Sequence, residues 1–210
     1  AFPLINLNLK QFVNETASES PAPGGGSISA YVGALGVSLA TMVANLSSHK
    51  PGWDIRWKEF SDYAEQGQKI KDELLKLVDE DTKAFNKIMD AFALPKSSDE
   101  EKLIRKNAIQ HATKNAIEVP FRVMELSIKS FELIKAMAET GNPNSVSDAG
   151  VGAICARAAV HGAFLNVKIN AASYSDKRYT SAKLKKGKAM FDKAKETERK
   201  ILKLVKRKIT

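Results

Sequence analysis

The sequence predicts an all-α fold, a single-domain helical bundle over residues 1–210, and three observations carry that prediction. Apolar residues recur at three- and four-residue spacing through the long segment at 54–94. No apolar–polar alternation is convincing enough for a strand. Prolines and clusters of turn formers fall between the helical segments and not inside them, with one exception at Pro120. The composition agrees, because 43% hydrophobic and 27% charged residues in 210 suffice for a sizeable core in an ordinary globular protein.

The elements follow in order. Residues 7–17 make a short amphipathic piece carrying Leu9, Phe12 and Val13. The stretch "SPAPGGGSIS" at 20–29 then joins two prolines to three glycines and a serine, and it opens an uncharged run. A helix from about Ser27 to Ser47, with Ser27 as N-cap, should stop at Pro51 and Gly52. The next runs from about Asp54 to Leu94, ahead of Pro95. Ser98 and Glu101 have capping-box spacing and start a helix that should kink or break at Pro120 and end near Thr140. After the turn formers of "TGNPNSVSD", residues 148–172 and 175–208 make two more helices.

The apolar helix at 28–46 approaches the length of a membrane span. Ser29, Ser38, Thr41 and Asn45 thin its hydrophobicity, and its Gly and Ala residues suit close approach by neighbouring helices, so the buried centre of a bundle is the better reading. No membrane partner is expected. A single cysteine, Cys155, excludes a disulfide framework and fits a reducing, cytoplasmic setting. His49, His111 and His161 are too scattered for metal-ligand spacing, and no metal site is expected. The net charge of +9 lies entirely within residues 183–208, where twelve Lys or Arg face Asp192, Glu196 and Glu198. With Phe191 as its only aromatic, this helix lacks a stacking platform for nucleic acid, and nucleic acid is not an expected partner. A solvated face or attraction of a polyanionic tail remains.

Three places carry chemistry. Side-chain-free backbone at Gly24, Gly25 and Gly26, followed by Ser27 at a helix start, offers unpaired N–H groups to an anion or a carbonyl. Asp81 falls inside the apolar stripe of Ile70, Leu74, Leu77, Phe85, Ile88 and Phe92, where a carboxyl must be hydrogen-bonded, paired or raised in pKa. It is read either as a structural acid or as a proton donor and acceptor, whereas Asp79, on another face beside Lys76 and Lys83, reads as a solvated surface charge. On the helix from Asp148, the residues Asp148, Gly152, Cys155, Ala159, Gly162, Asn166 and Asn170 share one small, polar face that suggests room for a ligand with hydrogen-bonding edges, although tight helix packing would use the same small residues.

Taken together, "PAPGGGSISAYVGALGVSLATMVANLS" at 21–47, "DEDTKAF" at 79–85, "GNPNSVSDAGVGA" at 141–153 and "NVKIN" at 166–170 resemble the formiminotransferase-cyclodeaminase family, in its cyclodeaminase domain. The match runs in order over nearly the whole chain. The resemblance implies a helical, dimer-forming folate domain that closes formiminotetrahydrofolate to methenyltetrahydrofolate with loss of ammonia, with no cofactor beyond the folate substrate. Its catalytic carboxylate matches Asp81. It also implies substrate contacts from the glycine loop and Ser27, from Asn45, Asn142 and Asn144, and from Asp148, Asn166 and Asn170. At 47–53 the chain reads "SSHKPGW" where relatives commonly carry a Gly-Lys-Lys type sequence, which leaves Lys50 as the candidate for the folate tail, with a polyglutamylated folate among the substrates the resemblance implies. Methenyltetrahydrofolate cyclohydrolase is the neighbouring activity that the sequence does not separate from the deaminase. A formiminotransferase, as partner or fused domain, is a further expectation, and a basic helical module without catalysis is the distant rival.

Overall fold

The structure, a computed structural model, describes residues 3–209. Among them are six α-helices and three short 3-10 turns, with no strand. The helices are α1 (Leu9–Thr16), α2 (Gly25–Ser48), α3 (Trp57–Ala93), α4 (Asp99–Thr140), α5 (Val146–Ala172) and α6 (Lys177–Ile209). Helix α2 is the hub and packs against α3, α4 and α5, while α6 lies outside, along α5 and α4. Two segments, Gly25–Ser48 and Pro143–Ala172, are long and apolar enough to cross a membrane by length and composition, yet α2 buries its Val37, Ala40, Val43 and Ala44 completely inside the bundle.

Small residues explain how the hub is reached. A Cβ on Gly36 would stand 2.9 Å from the Gly152 carbonyl oxygen, and one on Gly152 would stand 2.9 Å from that of Gly36. The two helix backbones therefore meet where both side chains are absent. This corrects the ligand-groove reading of the small α5 face: Gly152, Cys155 and Ala159 form the seam against α2. No space for a ring remains there.

Local signals fix several ends as expected. Ser98 and Glu101 form the capping box of α4, the Glu101 N–H donating to Ser98 Oγ at 3.1 Å and the Ser98 N–H to Glu101 Oε2 at 3.1 Å. The break expected at Pro120 does not occur, and α4 runs unbroken through it. Proline at 120 leaves the Ala116 carbonyl without its in-helix donor. Asn170 of α5 supplies one, its Nδ2 donating to Ala116 O at 2.7 Å.

Two further expectations change. Helix α2 starts at Gly25 with Gly24 as N-cap, so Ser27 sits in its first turn and is not the cap. The α3 stripe is less buried beyond Asp81: Phe85, Met89 and Phe92 are 36%, 51% and 50% exposed and Ile88 is half-buried, because α2 begins level with Asp81.

Candidate active site

The first in-helix hydrogen bond of α2 is Ile28 N–H to Gly24 O at 3.0 Å. The N–H groups of Gly25, Gly26 and Ser27 therefore have no partner within their own helix. A carboxylate of the chain itself occupies this end. Asp81, projecting from α3, lies over Gly26 so closely that a Cβ there would stand 2.5 Å from Asp81 Cγ. Glycine at 26 is thus required by approach and not by backbone twist, since the only positive φ among the described residues is at Gly52.

Ser27 is fully buried beneath this contact. Its hydroxyl lies 3.0 Å from Asp81 Oδ2, 2.9 Å from the Val78 carbonyl oxygen and 3.4 Å from Thr82 Oγ1. Burial pushes the pKa of Asp81 above the ordinary carboxylate range, and hydrogen bonds from the Ser27 hydroxyl and backbone N–H oppose that rise. The helix N-terminus favours the anion as well. A half-buried acid, raised by burial and steadied by hydrogen bonds, suits proton exchange.

Asn166 stands at the other side of the helix end. Its Nδ2 donates to Gly162 O at 2.9 Å, which fixes the amide, and it lies 3.4 Å from where a Cβ on Gly25 would be. Gly24, Gly25, Gly26, Ser27, Asp81 and Asn166 thus form one constellation from three segments. The remaining candidates fall elsewhere. Asn45, Lys50, Asn142 and Asn144 line a hollow of about 500 Å³ with His49 and Pro51, at the opposite end of α2 and about 30 Å along its axis from Gly25. Asp148 lies about 27 Å along α5 from Asn166, so the two do not hold one pterin. Asn170 is committed to the Ala116 carbonyl, a structural duty that the sequence reading missed because the proline and its rescuer are far apart in the chain.

Asp79 also differs from expectation. It is half-buried, and its Oδ1 accepts the Leu4 N–H at 2.7 Å, docking the N-terminal segment onto α3. Between them is a cavity of about 510 Å³, lined by Leu4, Leu7, Pro21, Asp79, Thr82 and Lys83 among others. Thr82 bridges it to Ser27. Neither Thr82 nor the anchoring role of Asp79 was singled out from the sequence, although both sit in the polar run that interrupts the α3 stripe. The basic helix is likewise not beside Asp81. It packs on the far side of α5, where Gly187 meets Phe164, and Lys183 and Lys186 pair with Glu118 and Glu125 of α4.

Fold and site together define an all-helical protein with a half-buried carboxyl seated on a helix N-terminus. Residues 8–189 match the formiminotransferase-cyclodeaminase family, and the chain belongs to it. A methenyltetrahydrofolate cyclohydrolase of Methylorubrum extorquens is 33% identical over 204 residues, covering 97% of this chain and 98% of that protein. The formimidoyltransferase-cyclodeaminase of Gallus gallus is 32% identical over 98% of this chain but only 38% of its own length. The crystal structure of a formiminotetrahydrofolate cyclodeaminase from Thermotoga maritima superposes with a TM-score of 0.80 at 30% identity, covering 94% of this chain and 96% of that one. The relatives are folate-processing enzymes of the cyclodeaminase and cyclohydrolase type.

Proposed function

We propose that the chain is a formiminotetrahydrofolate cyclodeaminase, forming 5,10-methenyltetrahydrofolate and ammonia. The carrying observation is Asp81: one half-buried carboxyl, raised in pKa, held by Ser27 on the end of α2. N10 of the folate attacks the carbon of the protonated formimino group and closes the five-membered ring. Asp81, ionised, takes the proton from N10. It then returns that proton to the amino group, which leaves as ammonia while the N5–C–N10 unit becomes the methenyl cation. Charge balances, and the carboxylate is regenerated. The reaction needs no metal or redox cofactor. Proton shuttling of this kind contributes roughly 100- to 10,000-fold, and alignment of N10 with the carbon supplies the other large factor.

The full-length similarity to a cyclohydrolase supports a second reading, with water as the nucleophile on the methenyl carbon. There the same carboxylate takes one proton of water and gives it to N5, and the ring opens to 10-formyltetrahydrofolate as the remaining hydroxyl proton of the adduct is released to solvent. Incubation with each substrate, following ammonia release in one case and loss of methenyl absorbance in the other, decides between them.

The working unit we propose is a dimer of this chain. Leu35, Met42 and Leu46 of α2 and Val151, Ile154, Leu165 and Ile169 of α5 are all more than a third exposed. A second copy related by a two-fold axis across the middle of α2 would cover this apolar face. The same operation turns the hollow of Asn45, Lys50, Asn142 and Asn144 toward the Asp81 end of the other copy.

A further inference from the structure

We infer that Ser27 is a positioning residue whose hydroxyl switches acceptor with the protonation state of Asp81, so that the carboxyl gains and loses its proton without rearrangement of the site. The inference rests on the reading of Asp81 as proton carrier. It begins from a mismatch: the hydroxyl has one proton, and two strong acceptors flank it, Asp81 Oδ2 at 3.0 Å and Val78 O at 2.9 Å. Both cannot be served at full strength at once.

Each protonation state selects one of them. With Asp81 ionised, the hydroxyl donates to Oδ2, the stronger acceptor because it is charged. When Asp81 takes up a proton on Oδ1, the oxygen over Gly26, the attraction of Oδ2 falls and the hydroxyl turns to the Val78 carbonyl. No heavy atom moves. The carbonyl tolerates either state, because in the middle of α3 the backbone N–H of Thr82 already serves one of its two lone pairs. Thr82 Oγ1, 3.4 Å away, closes the third side of the hydroxyl. Complete burial of Ser27 keeps water from substituting for either partner. The residue thus contacts no substrate; it keeps the two states of Asp81 close in energy.

The test is Ser27→Ala, with Ser29→Ala as control, because Ser29 is also buried on α2 and bonds only its own helix at Gly25 O. Carbon-13 NMR of aspartate-labelled protein without substrate, with the Asp81 signal assigned by its loss in Asp81→Asn, reads the carboxyl directly. In Ser27→Ala the Asp81 titration is expected to move to higher pH, and in Ser29→Ala it stays in place. Turnover of Ser27→Ala is expected to fall about tenfold at pH 7, the worth of one hydrogen bond to a charged group, and to recover as the pH is raised. A packing defect would not recover. In the unmodified protein the Ser27 hydroxyl proton should change shift in step with the Asp81 carboxyl, which keeps the test open if Ser27→Ala does not fold. An unchanged Asp81 titration in Ser27→Ala, or a hydroxyl shift indifferent to pH, overturns the inference. An active Asp81→Asn instead overturns the reading on which it rests.

Discussion

At the scale of single residues, neighbours that look alike in the sequence meet different partners. Gly25 and Gly26 are adjacent glycines in one helical turn, yet only a Cβ at 26 collides with Asp81. Gly26→Ala should therefore reduce kcat at least 100-fold and lower the melting temperature. Gly25→Ala should keep its stability, or gain roughly 0.4 to 1 kcal/mol through the unfolded chain. Its methyl narrows the gap toward Asn166, so we expect KM to rise with kcat little changed. Equal effects of the two substitutions on kcat would contradict this placement. Asp81 makes a second prediction through pH. Its folded pKa is raised above the unfolded value near 3.8, so the stability it contributes is fully present below that value and is lost as pH rises through the folded pKa. Asparagine does not titrate. The stability of Asp81→Asn relative to the parent should increase from about pH 3.8 upward and level off above the folded pKa, as followed by denaturant melts across pH. A flat difference would show that Asp81 is not desolvated.

At the scale of helices, α4 and α5 share a repair. Pro120 orphans the Ala116 carbonyl, and Asn170 answers it. Asn170→Ala should cost roughly 1 to 3 kcal/mol, the penalty for a buried unpaired carbonyl. Placed in a Pro120→Ala background, which restores the in-helix donor, the same substitution should cost much less, and additivity in that double-mutant cycle would refute the repair. Helix type and most boundaries were legible in the sequence, since the periodic stripe of α3 and the Ser98–Glu101 box depend on residues a few positions apart. The continuity of α4 was not, because its cause lies 54 residues away. The site divided in the same manner. Asp81 stood out as an acid in an apolar stripe and the glycines as bare backbone, but their mutual contact is tertiary. The small face of α5 misled because tight helix crossing and ligand space call for the same residue types, and only the partner helix distinguishes them.

At the scale of the whole molecule, α2 and α5 leave an apolar face exposed. Leu35→Glu combined with Ile154→Glu should yield a chain with unchanged helicity by circular dichroism that sediments as a monomer at micromolar concentration. Its turnover should fall at least tenfold, because the Asp81 end would lack the hollow supplied by the second copy. A fully active monomer would contradict the dimer. Within the basic stretch of α6, Lys183 and Lys186 pair with Glu118 and Glu125 of α4.

The central claim is that Asp81 carries the proton. The most direct measurement is turnover of Asp81→Asn on formiminotetrahydrofolate and on methenyltetrahydrofolate, with folding verified by circular dichroism and thermal melting. The account predicts at least a 100-fold loss on whichever substrate the parent accepts, in a protein that melts no lower than the parent at pH 7. Turnover within a few-fold of the parent would contradict it.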